Sequence, residues 1–270
     1  MGAVNGSEAE VSSTLRHLAD HGYATVPLLD RQTVNELTDL VEGLGIDPAE
    51  PYWATSVGAD RATARRVDQE LKERLLPLVT ARLGPGLVPF LAAFIGKGAH
   101  SGRVGLHPDW TYTDERVHRA VVVWCPLVDT EEGNGAMVVV PGSHRRVRGL
   151  RGSGTFDSPV EGIEDRLWAG HVLTVPLAAG QAIVWDAALL HGSWPNDRPD
   201  PRPAAAIALA PAAADLVHFH RALGGPTEGF LIDESHYTTT PYGARPVGAR
   251  PLAPWDEAIR PHRLVDLVSG

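Results

Sequence analysis

The sequence predicts a mainly β protein, a sandwich or barrel of short strands preceded by helices. After residue 87 the apolar residues come in short runs rich in Val, Ile and aromatic residues, separated by turns rich in Gly and Pro. No helix of ten residues alternates with these runs, which disfavours a parallel α/β sheet. The first 85 residues instead carry apolar residues at helical spacing. A chain of 270 residues, 43% of them hydrophobic, can bury the sizeable core that one domain needs.

Three helices are predicted before residue 85. The first carries Val11, Leu15 and Leu18 at helical spacing and is stopped by Gly22, and residues 23–28 are apolar enough to form a first strand. Asp30 is a suitable N-cap for a second helix with one apolar face. A third helix is predicted over residues 66–83, before the glycines and proline that end it.

Seven strands are predicted in the remainder of the chain. They cover residues 87–95, 120–128, 136–140, 172–175, 182–185, 204–209 and 216–219. Asn134-Gly135 marks the turn into the third of them. From Gly224 the sequence is typical of a loop, and a long loop in a compact domain is often a functional lid. We therefore expect a single domain over residues 1–270, with a helical part (1–85), a β core (86–222) and a loop-rich tail (223–270) as a possible lid.

Composition excludes several classes of protein. The net charge of -9 argues against nucleic-acid binding, which needs a basic surface. No apolar run approaches the ~18 residues of a membrane helix, and the polar N-terminus lacks a signal sequence, so a cytoplasmic location without membrane contact is expected. Cys125 is the only cysteine, in an apolar strand that packs it in the core. Any metal must therefore be bound by His and carboxylate side chains.

His107, Asp109 and His191 form the candidate metal site. His107 and Asp109 are two residues apart, and on an extended backbone such residues point the same way. His191 follows a later apolar run, and a barrel can bring such a strand end beside the first pair. Two imidazoles and one carboxylate leave three coordination positions open, as in non-haem iron(II) oxygenases, although catalytic zinc can use the same ligands. Each histidine alone is equally consistent with an ordinary structural role.

Arg202 favours the oxygenase over the zinc interpretation. An oxoacid that chelates iron needs a partner for its far carboxylate, and a guanidinium offers a planar fork for it. Arg202 begins a predicted strand soon after His191, and the Ser193 hydroxyl can add a donor. Arg198 is a rival of the same type, within a Pro-rich turn. Taken alone, Arg202 is more often a surface residue.

Trp110, Tyr112 and Arg103 are candidate substrate contacts because they lie close in sequence to the first ligands. Each is also consistent with an ordinary role in packing or on the surface, without any contact with the substrate. His218 and His220 can present two imidazoles on one face of a strand, but no neighbouring carboxylate completes a site.

Several segments together resemble the phytanoyl-CoA dioxygenase family of Fe(II)/2-oxoglutarate oxygenases, over about residues 10–220. The matching segments are Leu106-His107-Pro108-Asp109-Trp110, Trp124-Cys125-Pro126-Leu127-Val128-Asp129, Asn134-Gly135-Ala136, Val140-Pro141-Gly142-Ser143-His144, residues 180–185, His191-Gly192-Ser193-Trp194-Pro195-Asn196 and Arg202. Each segment is weak by itself, but the set is specific.

The resemblance implies a double-stranded β-helix core, a cupin-like jelly roll, with the N-terminal helices packed outside. It implies that His107, Asp109 and His191 bind Fe(II). It also implies that Arg202, helped by Ser193, binds the C5 carboxylate of 2-oxoglutarate, with Trp124 packing near this co-substrate. The implied activity consumes O2 and hydroxylates a small-molecule metabolite at an unactivated C–H, releasing succinate and CO2.

One departure from the family pattern limits what the resemblance carries. The family usually has Gln where this chain has Pro108, so contacts made by that Gln are lost and the fatty acyl-CoA substrate is not carried over. A carboxylate at Asp109 disfavours halogenation, because related halogenases have Gly or Ala there. Desaturation, epimerisation and cyclisation in natural-product biosynthesis remain alternatives. A non-oxidative metal-binding jelly roll, a sensor or an isomerase, is the second alternative. The oligomeric state is left open.

Overall fold

The computed structural model of the protein describes residues 7–147 and 149–252. Within them, the helices are α1 (Glu8–His21), α2 (Arg31–Glu42), α3 (Arg61–Leu83), α4 (Glu164–Gly170) and α5 (His236–Thr239), with a 3-10 turn at Ser143–Arg145. The strands are β1 (Tyr23–Pro27), β2 (Tyr52–Ala54), β3 (Leu87–Lys97), β4 (Val104–His107), β5 (Val121–Pro126), β6 (Met137–Val139), β7 (Ser153–Gly154), β8 (Leu173–Val175), β9 (Gln181–Asp186), β10 (His191–Ser193), β11 (Arg202–Pro211), β12 (Val217–Arg221), β13 (Thr227–Leu231) and β14 (Arg250–Pro251).

The N-terminal helices begin and end at residues that satisfy free backbone groups. Gly22 ends α1 in the left-handed conformation, as predicted, and the Asp30 carboxylate accepts a hydrogen bond from the Thr33 amide at the start of α2. Helix α3 begins at Arg61, five residues before the predicted start. The cause is its cap, because the Asp60 side chain accepts from the amides of the second and third helical residues. The first turn of α3 is polar, so apolar periodicity alone does not reveal it.

Two antiparallel sheets form the body of the protein. The larger has the strand order β1-β9-β5-β11-β3-β2, and the smaller has the order β4-β10-β6-β8. Strand β1 agrees with the strand predicted over residues 23–28, whereas β2 was not predicted, and the two form the edges of the larger sheet. A third, peripheral sheet has the order β14-β13-β12-β7. The predicted arrangement of mainly β structure with N-terminal helices is therefore confirmed.

The core has three layers. Helices α1–α3 pack on one face of the larger sheet through residues such as Leu37, Leu71 and Val123, and Cys125 is buried in this layer as predicted. The inner faces of the two sheets meet around Trp124. Helix α4 covers the outer face of the smaller sheet. The predicted metal and co-substrate residues lie in the inner layer, between the two sheets and away from both helix layers.

Two of the strands that carry site residues were not predicted. Strands β4 and β10 have only four and three residues and each contains glycine, so they lack the apolar run of a typical strand. The tail is also more regular than predicted: β13 pairs with β12, and α5 packs on α3. Residues 253–270 of the predicted tail lie outside the described residues. Among the described helices, none is long and apolar enough to cross a membrane.

Candidate active site

His107 and His191 lie directly opposite each other on β4 and β10. Their ring centroids are 4.5 Å apart. The Nδ1 of His107 lies 2.8 Å from the Gly105 carbonyl, and the Nδ1 of His191 lies 3.0 Å from the Leu189 carbonyl. Because a carbonyl only accepts, each Nδ1 carries the proton and each Nε2 keeps a free lone pair. Backbone contacts of this kind orient imidazoles as metal ligands.

Asp109 completes the group from the loop after β4. The strand ends at His107, so the alternation of an extended backbone is not what aligns the carboxylate, contrary to the sequence-based argument. The Asp109 amide instead donates to the Ala187 carbonyl at 2.8 Å. Its Oδ1 lies 4.0 Å from the Nε2 of His191, and its Oδ2 accepts a 2.8 Å hydrogen bond from the Trp185 indole N–H.

The electrostatics of this group suit metal binding. Burial lowers the pKa of His191 to about 4, against the opposing effect of the Asp109 carboxylate, so its imidazole is neutral at pH 7. Two imidazole nitrogens and a carboxylate oxygen are donors that fit Fe(II). Among the described residues, however, no three His, Cys, Asp or Glu side chains already enclose a common point as a metal site would. The three predicted ligands are neighbours, and their joint role as ligands is a proposal.

Arg202 is a buried cation without an acidic partner among the described residues. Its residue is 3% exposed, and its guanidinium lies over the Trp124 ring, 4.8 Å from the centroid. Its Nε and Nη1 have no hydrogen-bond partner among the described residues. Burial lowers the pKa of Arg202 to about 10, so it is still charged at pH 7. A buried charge without a partner is costly, and an anionic ligand would remove that cost.

Lys97 adds a second cation that the sequence analysis missed. It pairs in register with Arg202 across β3 and β11 and is 1% exposed. Its ammonium donates to the Gly102 carbonyl and, at 3.4 Å, to the Ser193 hydroxyl. Burial, and then the charge of Arg202, lowers the pKa of Lys97 to about 8. The only available signal in sequence was a lysine that ends an apolar strand; its pairing with Arg202 depends on the sheet register.

Tyr52 lies in the same row of the larger sheet. It pairs with Lys97 on β2, as Arg202 does on β11, and direct cross-strand partners share a face. The three-residue strand β2 gave no sequence signal of this role.

The candidate substrate residues separate in the structure. Trp110 and Tyr112 lie in an aromatic group beside Asp109. Arg103 contacts α4 on the outer face of the smaller sheet, with its guanidinium 4.9 Å from the Trp168 ring centroid and 3.5 Å from the Asp165 carboxylate.

The other two histidines singled out by the sequence have a local partner. His218 and His220 both lie 2.8 Å from the Ser153 hydroxyl, which ties β12 to β7.

Two facing antiparallel sheets with helices outside, and His and Asp donors on the inner face, define the cupin-like jelly-roll class. The family model for phytanoyl-CoA dioxygenase (PhyH) matches residues 18–204. The chain therefore belongs to the phytanoyl-CoA dioxygenase family, and the sequence-based predictions of family and fold class are confirmed. A search of curated proteins finds no match.

Solved structures with the same fold include two enzymes from nogalamycin biosynthesis. The non-heme alpha ketoglutarate dependent carbocyclase SnoK from nogalamycin biosynthesis is 20% identical, with a TM-score of 0.60 over 94% of this chain and 99% of that chain. The epimerase SnoN in complex with Fe3+, alpha ketoglutarate and nogalamycin RO is 22% identical, with a TM-score of 0.59 over 93% and 98%. HygX from Streptomyces hygroscopicus with nickel, 2-oxoglutarate and hygromycin B is 17% identical, with a TM-score of 0.53 over 74% and 87%.

Proposed function

We propose that the protein is an Fe(II)- and 2-oxoglutarate-dependent dioxygenase, in which His107, Asp109 and His191 hold the iron. The observation that carries the proposal is the buried, unpaired guanidinium of Arg202 beside these donors. A zinc hydrolase or a simple metal-binding protein has no use for such a cation. Family membership supports the same conclusion.

The spacing of the two groups fits 2-oxoglutarate. His191 and Ser193 are alternate residues of β10 and therefore share a face, and Ser193 contacts Lys97. Alternate residues on a strand are about 6.5 Å apart. A five-carbon dicarboxylate has a comparable length, so one carboxylate can reach the metal ligands while the other reaches the cations.

Each group of the cationic pocket has a defined task. The free Nε and Nη1 of Arg202 bind the far carboxylate as a fork, and Lys97 and Ser193 supply further donors. Trp124 packs beneath the guanidinium and keeps water from that side. Charge-assisted hydrogen bonds in a buried pocket are strong and directional, so these groups fix the orientation of the co-substrate.

The protein positions the reaction, and the cofactors supply its chemistry. When bound, Fe(II) and 2-oxoglutarate would activate O2, which is the oxidant, and 2-oxoglutarate would be converted to succinate and CO2. The chain contributes two imidazoles, each with its Nδ1 held by a backbone carbonyl, and a carboxylate held by Trp185. We propose hydroxylation of a small-molecule metabolite at an unactivated C–H as the reaction.

Desaturation, epimerisation or cyclisation at the same site is the second candidate. It is favoured by two of the solved structures with this fold, because they are described as a carbocyclase and an epimerase. The metal and the co-substrate pocket are common to all these reactions.

We also propose that the chain acts as one domain whose tail contributes to the active site.

The proposal is tested by co-substrate binding and turnover. Purified protein with Fe(II), ascorbate and 2-oxoglutarate should release succinate even without substrate, and His107→Ala and His191→Ala should abolish that release. Arg202→Met should weaken 2-oxoglutarate binding roughly 30- to 5000-fold, because the loss of a buried charged partner costs about 2–5 kcal/mol.

Arg198→Met is the matched control, because Arg198 is exposed and bound to Glu131. It should bind 2-oxoglutarate as the wild type does. Wild-type protein that releases no succinate, or an Arg202→Met variant with unchanged 2-oxoglutarate affinity, would contradict the proposal and favour a non-oxidative metal-binding protein.

A further inference from the structure

Four of the five tyrosines in the chain gather on one side of Asp109. They are Tyr52, Tyr112, Tyr237 and Tyr242, from four separate parts of the sequence. The ring of Tyr237 contacts those of Tyr112 and Trp110, the ring of Tyr242 contacts that of Trp110, and Tyr52 and Tyr242 both interact electrostatically with Asp109. With Trp110 we call these residues the aromatic wall.

Four rings of the aromatic wall, those of Trp110, Tyr112, Tyr237 and Tyr242, form a continuous surface. Tyr242 stacks on Trp110 with centroids 5.1 Å apart and an interplanar angle of 19°. Tyr237 meets the ring of Tyr112 edge-on at 5.8 Å and lies 6.3 Å from Trp110. Contacts at these separations are typical of attractive aromatic pairs, so the rings hold one another in place.

One end of the aromatic wall is open to solvent. Tyr242 is 63% exposed and Tyr52 is 50% exposed, although burial raises the pKa of both hydroxyls. Side chains that are surrounded by protein and still reachable by water line a cleft. A ligand can therefore reach the rings from outside without unfolding the layer behind them.

Deeper in the wall, two polar atoms are left without partners. The Tyr237 hydroxyl and the Nδ1 of His218 are buried and make no hydrogen bond among the described residues. The two rings lie 6.0 Å apart. An unsatisfied buried polar group is costly, so an oxygen-bearing ligand that reached these two atoms would bind more tightly.

The aromatic wall carries no net charge at neutral pH. Burial lowers the pKa of His218 to about 4 and also lowers that of His236, so both imidazoles are neutral. Arg151, the cation that interacts with Tyr112, is bound to Glu115 with a 3.1 Å hydrogen bond. Asp109 is assigned to the metal and Arg202 to the co-substrate, which leaves the wall itself neutral.

We propose that the aromatic wall is the substrate subsite and that it takes an uncharged, planar polycyclic aromatic molecule carrying a few hydroxyl or carbonyl oxygens. The inference rests on the proposed oxygenase function and names the substrate class of that same site. Stacking on the free face of the Trp110–Tyr242 pair holds the ring plane, and the Tyr237 hydroxyl donates to a ring oxygen. The bound ring system then lies beside Asp109, where the reacting C–H must be.

Two other substrate classes fit this surface less well. A flexible acyl chain gains burial but no stacking from these rings, and the phosphates of an acyl-CoA would need cations that the wall does not offer. A sugar carries hydroxyls around its whole ring, and each one needs a partner when it is buried. The phenol hydroxyls of the aromatic wall and the imidazole nitrogen of His218 beside it cannot satisfy that many sugar hydroxyls. They do suit a ring system that carries few oxygens.

The test uses the whole metal-free protein, with 2-(hydroxymethyl)anthraquinone as the probe and equilibrium dialysis as the measurement. We expect saturable binding to the wild type. Trp110→Ala and Tyr242→Ala should each raise the Kd about three- to tenfold, because an aromatic pair contributes about 0.5–1.5 kcal/mol beyond its burial. Val247→Ala is the matched control, since it lies in the same segment and is 93% exposed. It should bind as the wild type does.

A second comparison isolates the hydroxyl from the packing. The wild type should prefer the quinone to 2-(hydroxymethyl)anthracene, which lacks the ring carbonyls, and Tyr237→Phe should remove that preference while leaving anthracene binding within twofold. A purely structural role of Tyr237 would change both affinities together.

The outcomes separate this inference from the proposed function. No saturable binding by the wild type, equal weakening in Val247→Ala, or displacement of the probe by decanoyl-CoA or methyl glucoside would overturn the inference. If the wild type releases succinate from 2-oxoglutarate but does not bind the probe, only the substrate class is wrong. If it binds the probe but releases no succinate, the proposed function is wrong and a ring-binding site remains.

Discussion

At the scale of single residues, the candidate site depends on side chains that position others. Trp185 donates its indole N–H to Oδ2 of Asp109, and its ring lies 4.7 Å from that of His191. It therefore holds one carboxylate oxygen and leaves Oδ1 facing the imidazole. Partners of metal ligands commonly affect metal affinity 10- to 100-fold.

We expect Trp185→Phe to weaken metal binding about tenfold or more, because the carboxylate loses its fixed orientation. Anaerobic titration with Fe(II) or Ni(II) measures the effect. Trp168→Phe is the control, because that indole donates to Glu164 at 3.2 Å and has no contact with Asp109. Equal metal affinity in Trp185→Phe and the wild type would show that Asp109 needs no such support.

Lys97 gives the site a dependence on pH. Its pKa is lowered to about 8, chiefly by burial, so it is protonated below that pH and loses its charge above it. Affinity for 2-oxoglutarate should therefore be highest below pH 8 and should fall as pH rises through 8. Calorimetry across pH 7 to 9.5 checks this, and Lys97→Met should flatten the profile. A wild-type profile as flat as that of the variant would contradict the role of Lys97.

The ammonium of Lys97 also affects the stability of the fold, but stability changes with pH in the direction opposite to the affinity for 2-oxoglutarate. In the unfolded chain Lys97 keeps its proton up to its ordinary pKa of 10.5, so between about 8 and 10.5 the unfolded state binds more protons. The cost of burying the charge is therefore complete below pH 8 and disappears as pH rises to 10.5. An anion bound in the pocket offsets that cost at neutral pH.

At the scale of elements, short strands are held by contacts that lie far apart in sequence. Strand β4 lies at the edge of the smaller sheet, and the Glu164 carboxylate of α4 accepts a 2.9 Å hydrogen bond from the Leu106 amide. The carboxylate thus replaces a missing strand neighbour beside His107. Nothing in the four residues of β4 predicts this contact. The spacing of His107 and Asp109 therefore revealed the metal motif, whereas apolar periodicity did not reveal the strand.

The end of α1 is a second such contact. Gly22 has φ of 84°, and a Cβ there would lie 2.4 Å from Nδ1 of His144 and 2.6 Å from Cδ1 of Leu189. Gly45 has a similar φ of 65° with nothing within 4 Å of a Cβ. A comparison of alanine substitutions at these two positions therefore separates the cost of backbone strain from the cost of steric overlap.

We expect Gly45→Ala to cost about 1 kcal/mol in the free energy of unfolding, from the left-handed backbone alone. Gly22→Ala should cost at least about 2 kcal/mol more, because a packed side chain must also move. Urea denaturation measures both. Equal losses would mean that the turn between α1 and β1 relaxes freely.

At the scale of the whole molecule, the buried cations link co-substrate binding to folding. Arg202 and Lys97 face each other in register in the larger sheet, and the charge of Arg202 lowers the pKa of Lys97. A ligand that binds only the folded state at 100 times its Kd stabilises it by about 2.7 kcal/mol. A dicarboxylate should therefore raise the melting temperature.

We expect 2-oxoglutarate with Ni(II) to raise the Tm of the wild type by several degrees, and acetate to have little effect because it cannot span both groups. Differential scanning calorimetry is the measurement, with Arg202→Met as the comparison. A variant that is stabilised as much as the wild type would exclude the buried cations as the anion site.

The sequence by itself determined the class of fold, the family and the residues of the candidate metal site. Those depend on local signals, namely apolar periodicity, the His107-Pro108-Asp109 motif and the order of the motifs that follow. Tertiary structure alone decided the partners: Lys97 opposite Arg202, Trp185 on Asp109, and four distant tyrosines on one wall. The physical reason is that strand register and packing bring together residues that no spacing in the chain relates.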